Sequence, residues 1–234
     1  MTALTIVQKA CARLGITSPS AVFSSIDALI IQMRNLLNQE GAELAKQAEW
    51  TPLIKEKTFT TTAAAVQTGA VASDFDWYIN ESMWNRTTFR PITGPMSAAD
   101  WQARQALSVG ALPDIYFRFR GGDILFYPAP AADQTVAYEY ITQNWAETSG
   151  GSGLSAMTAD TDVTVLDENL HVLGILWRFK MAKGLDYGEY FRTYEIEKAK
   201  AIARDGGKPR LFLSSAMASP NMAVNIPSGS WDLS

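Results

Sequence analysis

The sequence predicts an α+β protein: a helical bundle of two N-terminal and two C-terminal helices, with a small, mainly antiparallel β unit inserted and an extended C-terminal tail. Three observations predict it. Apolar residues recur at helical spacing through residues 1–50 and again through residues 163–205. The stretch between them alternates polar with apolar and is rich in β-branched residues. Residues 206–234 follow neither period. The expected divisions are 1–50 (N-terminal helices), 51–147 (β-rich unit with one short helix), 148–162 (flexible Gly/Ser/Thr loop), 163–205 (C-terminal helices) and 206–234 (extended arm).

In the first helix Leu4, Val7, Cys11 and Leu14 share one face, and Gly15 supplies the stop. After the break at Thr17-Ser18-Pro19-Ser20, Ser24 with Asp27 resembles a capping box. Ile26, Leu29, Ile30, Met33, Leu37 and Leu44 then form a stripe running to about Trp50, where Thr51-Pro52 ends the helix. The two helices are expected to be antiparallel neighbours. Leu53 to Thr62 reads as a strand. The clearest hairpin is Ile115 to Arg120, Gly121-Gly122, then Asp123 to Tyr127, with Ile115, Phe117 and Phe119 on one face and Arg118 and Arg120 on the other. Val136 to Thr142 is a third strand, and Ser97 to Val109 an isolated helix capped by Ser97 with Asp100.

Residues 148–162 are dominated by Gly, Ser, Thr and Ala, and loops of that length are functional or disordered. Asp167 caps a helix from Glu168 to Lys183 that is apolar nearly all round. Gly184-Leu185-Asp186 turns the chain into a last helix reaching about Asp205, lined by Tyr187, Tyr190, Phe191, Tyr194, Ala201 and Ile202. The arm that follows carries only the charges Lys208, Arg210 and Asp232, and Pro209, Pro220 and Pro227 oppose a continuous helix. Its scattered apolar residues leave two readings open: it packs along its own chain or orders on a neighbour.

Composition excludes several functions. The chain has 234 residues, 47% of them hydrophobic, but only 19% are charged, against roughly 25% in typical globular domains. A net charge of −4 and a pI of 5.1 with no dense basic run disfavour phosphate-backbone binding. One Cys and one His exclude a disulfide framework and a zinc site of Cys and His. No apolar run spans a membrane, and Met1 to Ala10 lacks a secretory signal design. The expectation is a soluble protein of a reducing compartment. Seven Trp, ten Phe and eight Tyr fill a core on one reading and furnish interface on the other.

No motif supports an enzyme. Cys11 sits on an apolar helical stripe and His171 lies between Leu170 and Val172, so a catalytic pair requires those two helices to meet. Asp74, Asp76 and Glu81 could hold a hard cation, but no glycine supplies a ligand-loop turn. Gly121-Gly122-Asp123 is hairpin chemistry, since no helix opens after it to cradle phosphate. Neither a cofactor nor a metal is expected.

Ordered blocks carry a resemblance. Asp74-Phe75-Asp76-Trp77-Tyr78-Ile79-Asn80, Met83-Trp84-Asn85-Arg86-Thr87 and Arg90-Pro91-Ile92-Thr93-Gly94-Pro95 come first. Leu166-Asp167-Glu168-Asn169-Leu170, Trp177-Arg178, Lys183-Gly184-Leu185-Asp186-Tyr187, Tyr194-Glu195 and Ala203-Arg204-Asp205-Gly206-Gly207 follow. Over roughly Trp50 to Arg210 the sequence resembles the head-to-tail adaptors of tailed bacteriophages, also called tail tubular protein A in short-tailed phages. The resemblance implies a virion protein of the neck or tail, assembled in the host bacterial cytoplasm and without catalytic residues. It implies a ring of copies, expected to be a dodecamer, beneath the portal protein. Tail nozzle, tube or fibre proteins attach below, and DNA passes through the lumen at ejection without specific binding. The C-terminal arm is then the portal-binding segment, with Leu211, Phe212, Leu213, Met217, Met222, Val224, Ile226, Trp231 and Leu233 as its anchors. Two other classes compete: a neck stopper or tube terminator, and a carbohydrate-binding tail accessory using Trp77, Trp84 and Trp101 as sugar platforms.

Overall fold

The structure is a computed structural model that describes residues 1–106 and 114–206. Its helices are α1 (Ala3–Leu14), α2 (Ala28–Ala45), α3 (Ala98–Ala106), α4 (Glu168–Ala182) and α5 (Gly188–Arg204). Its longer strands are β1 (Ile54–Thr60), β3 (Phe75–Tyr78), β6 (Tyr116–Arg120), β7 (Asp123–Tyr127) and β8 (Thr135–Thr142). Two-residue strands complete the set: β2 (Val66–Gln67), β4 (Trp84–Asn85), β5 (Arg90–Pro91), β9 (Ala146–Glu147), β10 (Gly153–Leu154) and β11 (Val163–Thr164). The fold is mixed α+β with small antiparallel sheets, as the change of period predicts.

Helix α1 is capped by the Thr2 hydroxyl, which accepts from the Thr5 amide, and closed by Gly15 in the left-handed conformation. Helix α2 departs from expectation at both ends. Asp27 rather than Ser24 is its cap, accepting from the Leu29 amide, so Ile26 falls outside the helix and is 95% exposed. The helix stops at Ala45, and Trp50 instead packs its ring in the core while its indole N–H donates to the Leu44 carbonyl at 2.7 Å. Ile30, Met33, Leu37 and Leu44 are buried as their spacing requires.

The apolar circumference of α4 has a structural reason: α1, α2 and α5 all pack on it. Its burial runs unbroken from Leu170 to Leu176. α5 gives up far less surface, with Tyr194 its one buried residue.

Strand β8 organises the larger sheet. It pairs with β1 along one edge and with β3 and β4 along the other. The hairpin of β6 and β7 forms where expected, with Gly121 and Gly122 at φ 64° and 86° making the turn. β8 does not extend that hairpin as a third strand; β2 pairs with β7 instead. The two sheets face each other across an aromatic layer. Phe75 meets Phe119 at 5.2 Å and Tyr78 meets Phe117 at 5.2 Å, with Phe59, Tyr138, Ile124 and Phe126 filling the same cluster.

Residues 148–162, expected as a flexible loop, are tied into the helical cluster. Met157 exchanges two hydrogen bonds with the Asn38 amide on α2, the Asp160 carboxylate accepts from the Val22 and Phe23 amides, and the Trp145 indole donates to the Ser155 carbonyl. Gly and Ser content here reflects tight turns around these anchors rather than freedom from the core.

Candidate interaction surfaces

Of the groups that invite a catalytic reading, His171 and Asp74 are engaged in holding the fold and Cys11 is buried in the core. His171 is fully buried. The atom facing Nδ1 is the Asp167 backbone carbonyl oxygen, which can only accept, so Nδ1 donates to it at 3.0 Å, and Nε2 accepts from the Thr164 hydroxyl at 3.2 Å. Burial pushes the imidazole down to about 4, so it stays neutral. Cys11 is buried, which raises its thiol above the ordinary value and leaves it a poor nucleophile. Among the described residues no group of three or more His, Cys, Asp or Glu is placed to hold a metal ion.

Asp74, a candidate cation ligand in the sequence, has another task. Its carboxylate accepts from the Tyr140 hydroxyl at 2.7 Å, the Thr142 hydroxyl at 2.8 Å and the Lys55 ammonium at 3.1 Å, joining the β3 approach to β8 and β1. Burial works against its charge, but these donors outweigh it and hold the carboxyl below its usual range.

A buried ion pair went unpredicted. Arg178 of α4 donates Nε to Glu40 of α2 at 2.8 Å and Nη2 to Glu43 at 2.7 Å. Burial drives the Glu40 carboxyl above its usual range, and the Tyr194 hydroxyl from α5 lies against it. The signal was available. Glu40 falls on the stripe of Leu37 and Leu44, and Arg178 follows the apolar run from Leu173 to Trp177 and precedes Phe179. Two opposite charges on two otherwise apolar faces read as a pair.

What faces outward is surface rather than pocket chemistry. On the larger sheet, register puts Ile54 with Ile141, Glu56 with Glu139 and Thr58 with Ala137 on the face away from the aromatic layer. The Ile54–Ile141 end is covered by the helical cluster. The remainder is an open groove of about 600 Å³ bordered by Trp84, Phe89, Ala137, Glu56, Arg86 and Glu139. Phe89 is 83% exposed at φ 56°, a left-handed conformation that a bulky side chain adopts at a cost. On the smaller sheet, Tyr116, Arg118, Arg120, Leu125, Tyr127 and Val66 share the outward face. Helix α3 covers one end of it, Trp101 lying against Tyr127 and the Arg104 guanidinium 3.6 Å over Tyr116. Around α5, Phe191, Ile196 and Ile202 are exposed, as is Leu185 in the turn before it.

The three Trp residues considered as sugar platforms do not converge. Trp101 is buried between its own helix α3 and Tyr127 of the smaller sheet, Trp77 packs against the helical cluster and Trp84 lines the sheet groove. The proposed portal anchors Leu211, Phe212, Leu213, Met217, Met222, Val224, Ile226, Trp231 and Leu233 lie outside the described residues. α5 ends at Arg204, and the Asp205 carboxylate accepts from the Thr51 amide at 2.7 Å, tying the C-terminal end of the described residues to the α2–β1 junction.

The titratable groups of the interior thus serve the fold, while apolar and charged residues outside gather on the outward faces of the two sheets and around α5. This is the construction of a protein that works through contacts. Its class is that of bacteriophage structural adaptors, components of the virion, and the chain belongs to the SU10 adaptor protein family, whose model matches residues 1–209. The match is to that family and does not single out the tail tubular protein A branch named by the resemblance. No curated protein sequence matches the chain significantly. No helix among the described residues is long and apolar enough to cross a membrane.

Proposed function

We propose that this adaptor joins head to tail: copies form a ring beneath the portal, expected to be a dodecamer as in tail tubular protein A-like adaptors, and the ring carries the tail components below. The observation that carries this reading is the family match over residues 1–209. Two features support it. The Asp205–Thr51 bond ties the end of α5, where the C-terminal arm begins, to the α2–β1 junction on each copy, and the exposed apolar residues along α5, Phe191, Ile196 and Ile202, offer surface to a neighbour. Assembly takes place in the host cytoplasm on a completed portal. Burial of Trp231, Leu233, Phe212 and Leu211 against the portal would supply about 25 cal/mol per Å² of apolar area. The net charge of −4 suits a lumen that DNA leaves easily, because retention requires clustered Lys and Arg.

Deletion of Gly206 to Ser234 tests the arm. The truncated chain is expected to keep its helical content and cooperative melting while losing co-sedimentation with purified portal rings. Unchanged portal affinity in the folded truncation would refute the role given to the arm.

A further inference from the structure

We propose that the two outward faces of the β unit are the two halves of a head-to-tail contact between copies of this chain. The groove of Trp84, Phe89, Glu56 and Glu139 on one copy receives the Arg118/Arg120 face of the next. The proposal deepens the ring reading above and rests on it.

Charge carries the argument. On the open part of the larger sheet the charged side chains are Glu56, Glu139 and Arg86, a net of one negative charge. Arg86 is committed to Glu56 at 2.5 Å. Glu139 stands directly opposite Glu56 in the β1–β8 register, a like-charge pairing that destabilises an antiparallel ladder. Its carboxylate has no hydrogen-bond or ion-pair partner among the described residues. The outward face of the smaller sheet, with α3 at its end, carries Arg104, Arg118 and Arg120 against Asp100 and Asp123, a net of one positive charge. Asp100 is held by the Ser97 hydroxyl and Arg104 lies over Tyr116. Arg118 and Arg120 have no hydrogen-bond or ion-pair partner among the described residues. Each face therefore leaves at its open end the charge that the other lacks.

Apolar groups accompany the charges on both sides. Phe89 is held out at φ 56° at the groove, and Val66 is 42% exposed across Leu125 from Arg118 in the β2–β7–β6 register. Because the two sheets meet through their inner faces, these outer faces look in opposite directions. A two-fold contact would have to engage both faces of each copy in one interface, which faces looking in opposite directions cannot do. The pair forms a heterologous contact, the kind that generates rings when the rotation closes.

Charge exchange tests it on the full chain. Glu139→Arg reverses one face and Arg118→Glu with Arg120→Glu reverses the other, all at exposed or half-exposed strand positions; melting curves establish that each variant is folded. Sedimentation equilibrium from micromolar to millimolar concentration is then read for wild type, for each variant and for their equimolar mixture. Wild type is expected to self-associate, more weakly at high salt, and each variant at least about tenfold more weakly. The mixture should recover association, because each reversed face meets its complement on the other chain. A wild type monomeric throughout the range, variants associating as wild type does, or a mixture no tighter than its components would each overturn the proposal. The first of these would leave the faces to a different protein. Portal co-sedimentation of the wild type separates the two readings: a wild type that self-associates as predicted but does not bind portal rings refutes the adaptor assignment and leaves this contact standing.

Discussion

Gly174 of α4 leaves the space that the Glu40 side chain of α2 occupies. A Cβ built at Gly174 would overlap Glu40 Cδ, and a Cβ at Gly41 would overlap the Trp145 indole in the same way. The closest approach of α2 to the rest of the core is thus set by two glycines, each facing a large side chain. Gly174→Ala is expected to destabilise by about 1–3 kcal/mol through overpacking. The cost should shrink when Glu40→Ala is present, because the clash is then gone. Urea denaturation of the two single variants and the double variant measures that coupling.

Arg178→Met removes the cation from the buried pair and leaves Glu40 to face burial alone. Breaking a buried pair costs about 3–5 kcal/mol when the remaining charge persists. Here Glu40 can take a proton. Its folded pKa lies above the unfolded one, so protonation favours the fold, and the extra stability present at low pH is lost as pH rises through the folded value. Relative to wild type, the variant should therefore be least stable at neutral and alkaline pH and recover towards pH 5. Thermal melts across that range would expose a pH-independent deficit if the account were wrong.

His171 gives the opposite slope. Its folded pKa is about 4 against an ordinary 6.5, so the unfolded chain binds more protons between those values. Its contribution is fully present above 6.5 and is lost as pH falls towards 4, by about 3 kcal/mol at most. In His171→Gln that part of the acid slope should disappear, as chemical denaturation at several pH values would register.

The helices were legible from sequence because their apolar positions keep one period over many turns. α1 and α4 end within a residue or so of expectation. The N-terminus of α2 was misplaced because Ser24 and Asp27 are both good caps at compatible spacing, and only packing chooses Asp27. The partner of β8 was not legible. Hairpin chemistry is local, whereas the β1–β8 ladder joins residues 54–60 to residues 135–141. Residues 148–162 misled because low complexity hides specific anchors such as Asp160. The outward faces were half visible. The alternation put Arg118 and Arg120 together, but the Glu56–Glu139 opposition needs the register.

Asp74 should prove structural. Asp74→Asn keeps shape but replaces charged acceptors of the Tyr140 and Thr142 hydroxyls and of Lys55 with an amide. A loss of about 1–3 kcal/mol is expected at neutral pH. Because the wild-type carboxyl is held below its usual range, the difference between the two proteins should narrow as acid protonates Asp74. Denaturation midpoints at pH 7 and in acid compare the two, and calcium or magnesium should shift neither protein.

The head-to-tail assignment is tested most directly by sedimentation velocity of the full chain alone and with purified portal rings. A boundary that moves with the portal and carries many copies per ring is the predicted result. A chain whose sedimentation is indifferent to portal at every concentration would contradict it.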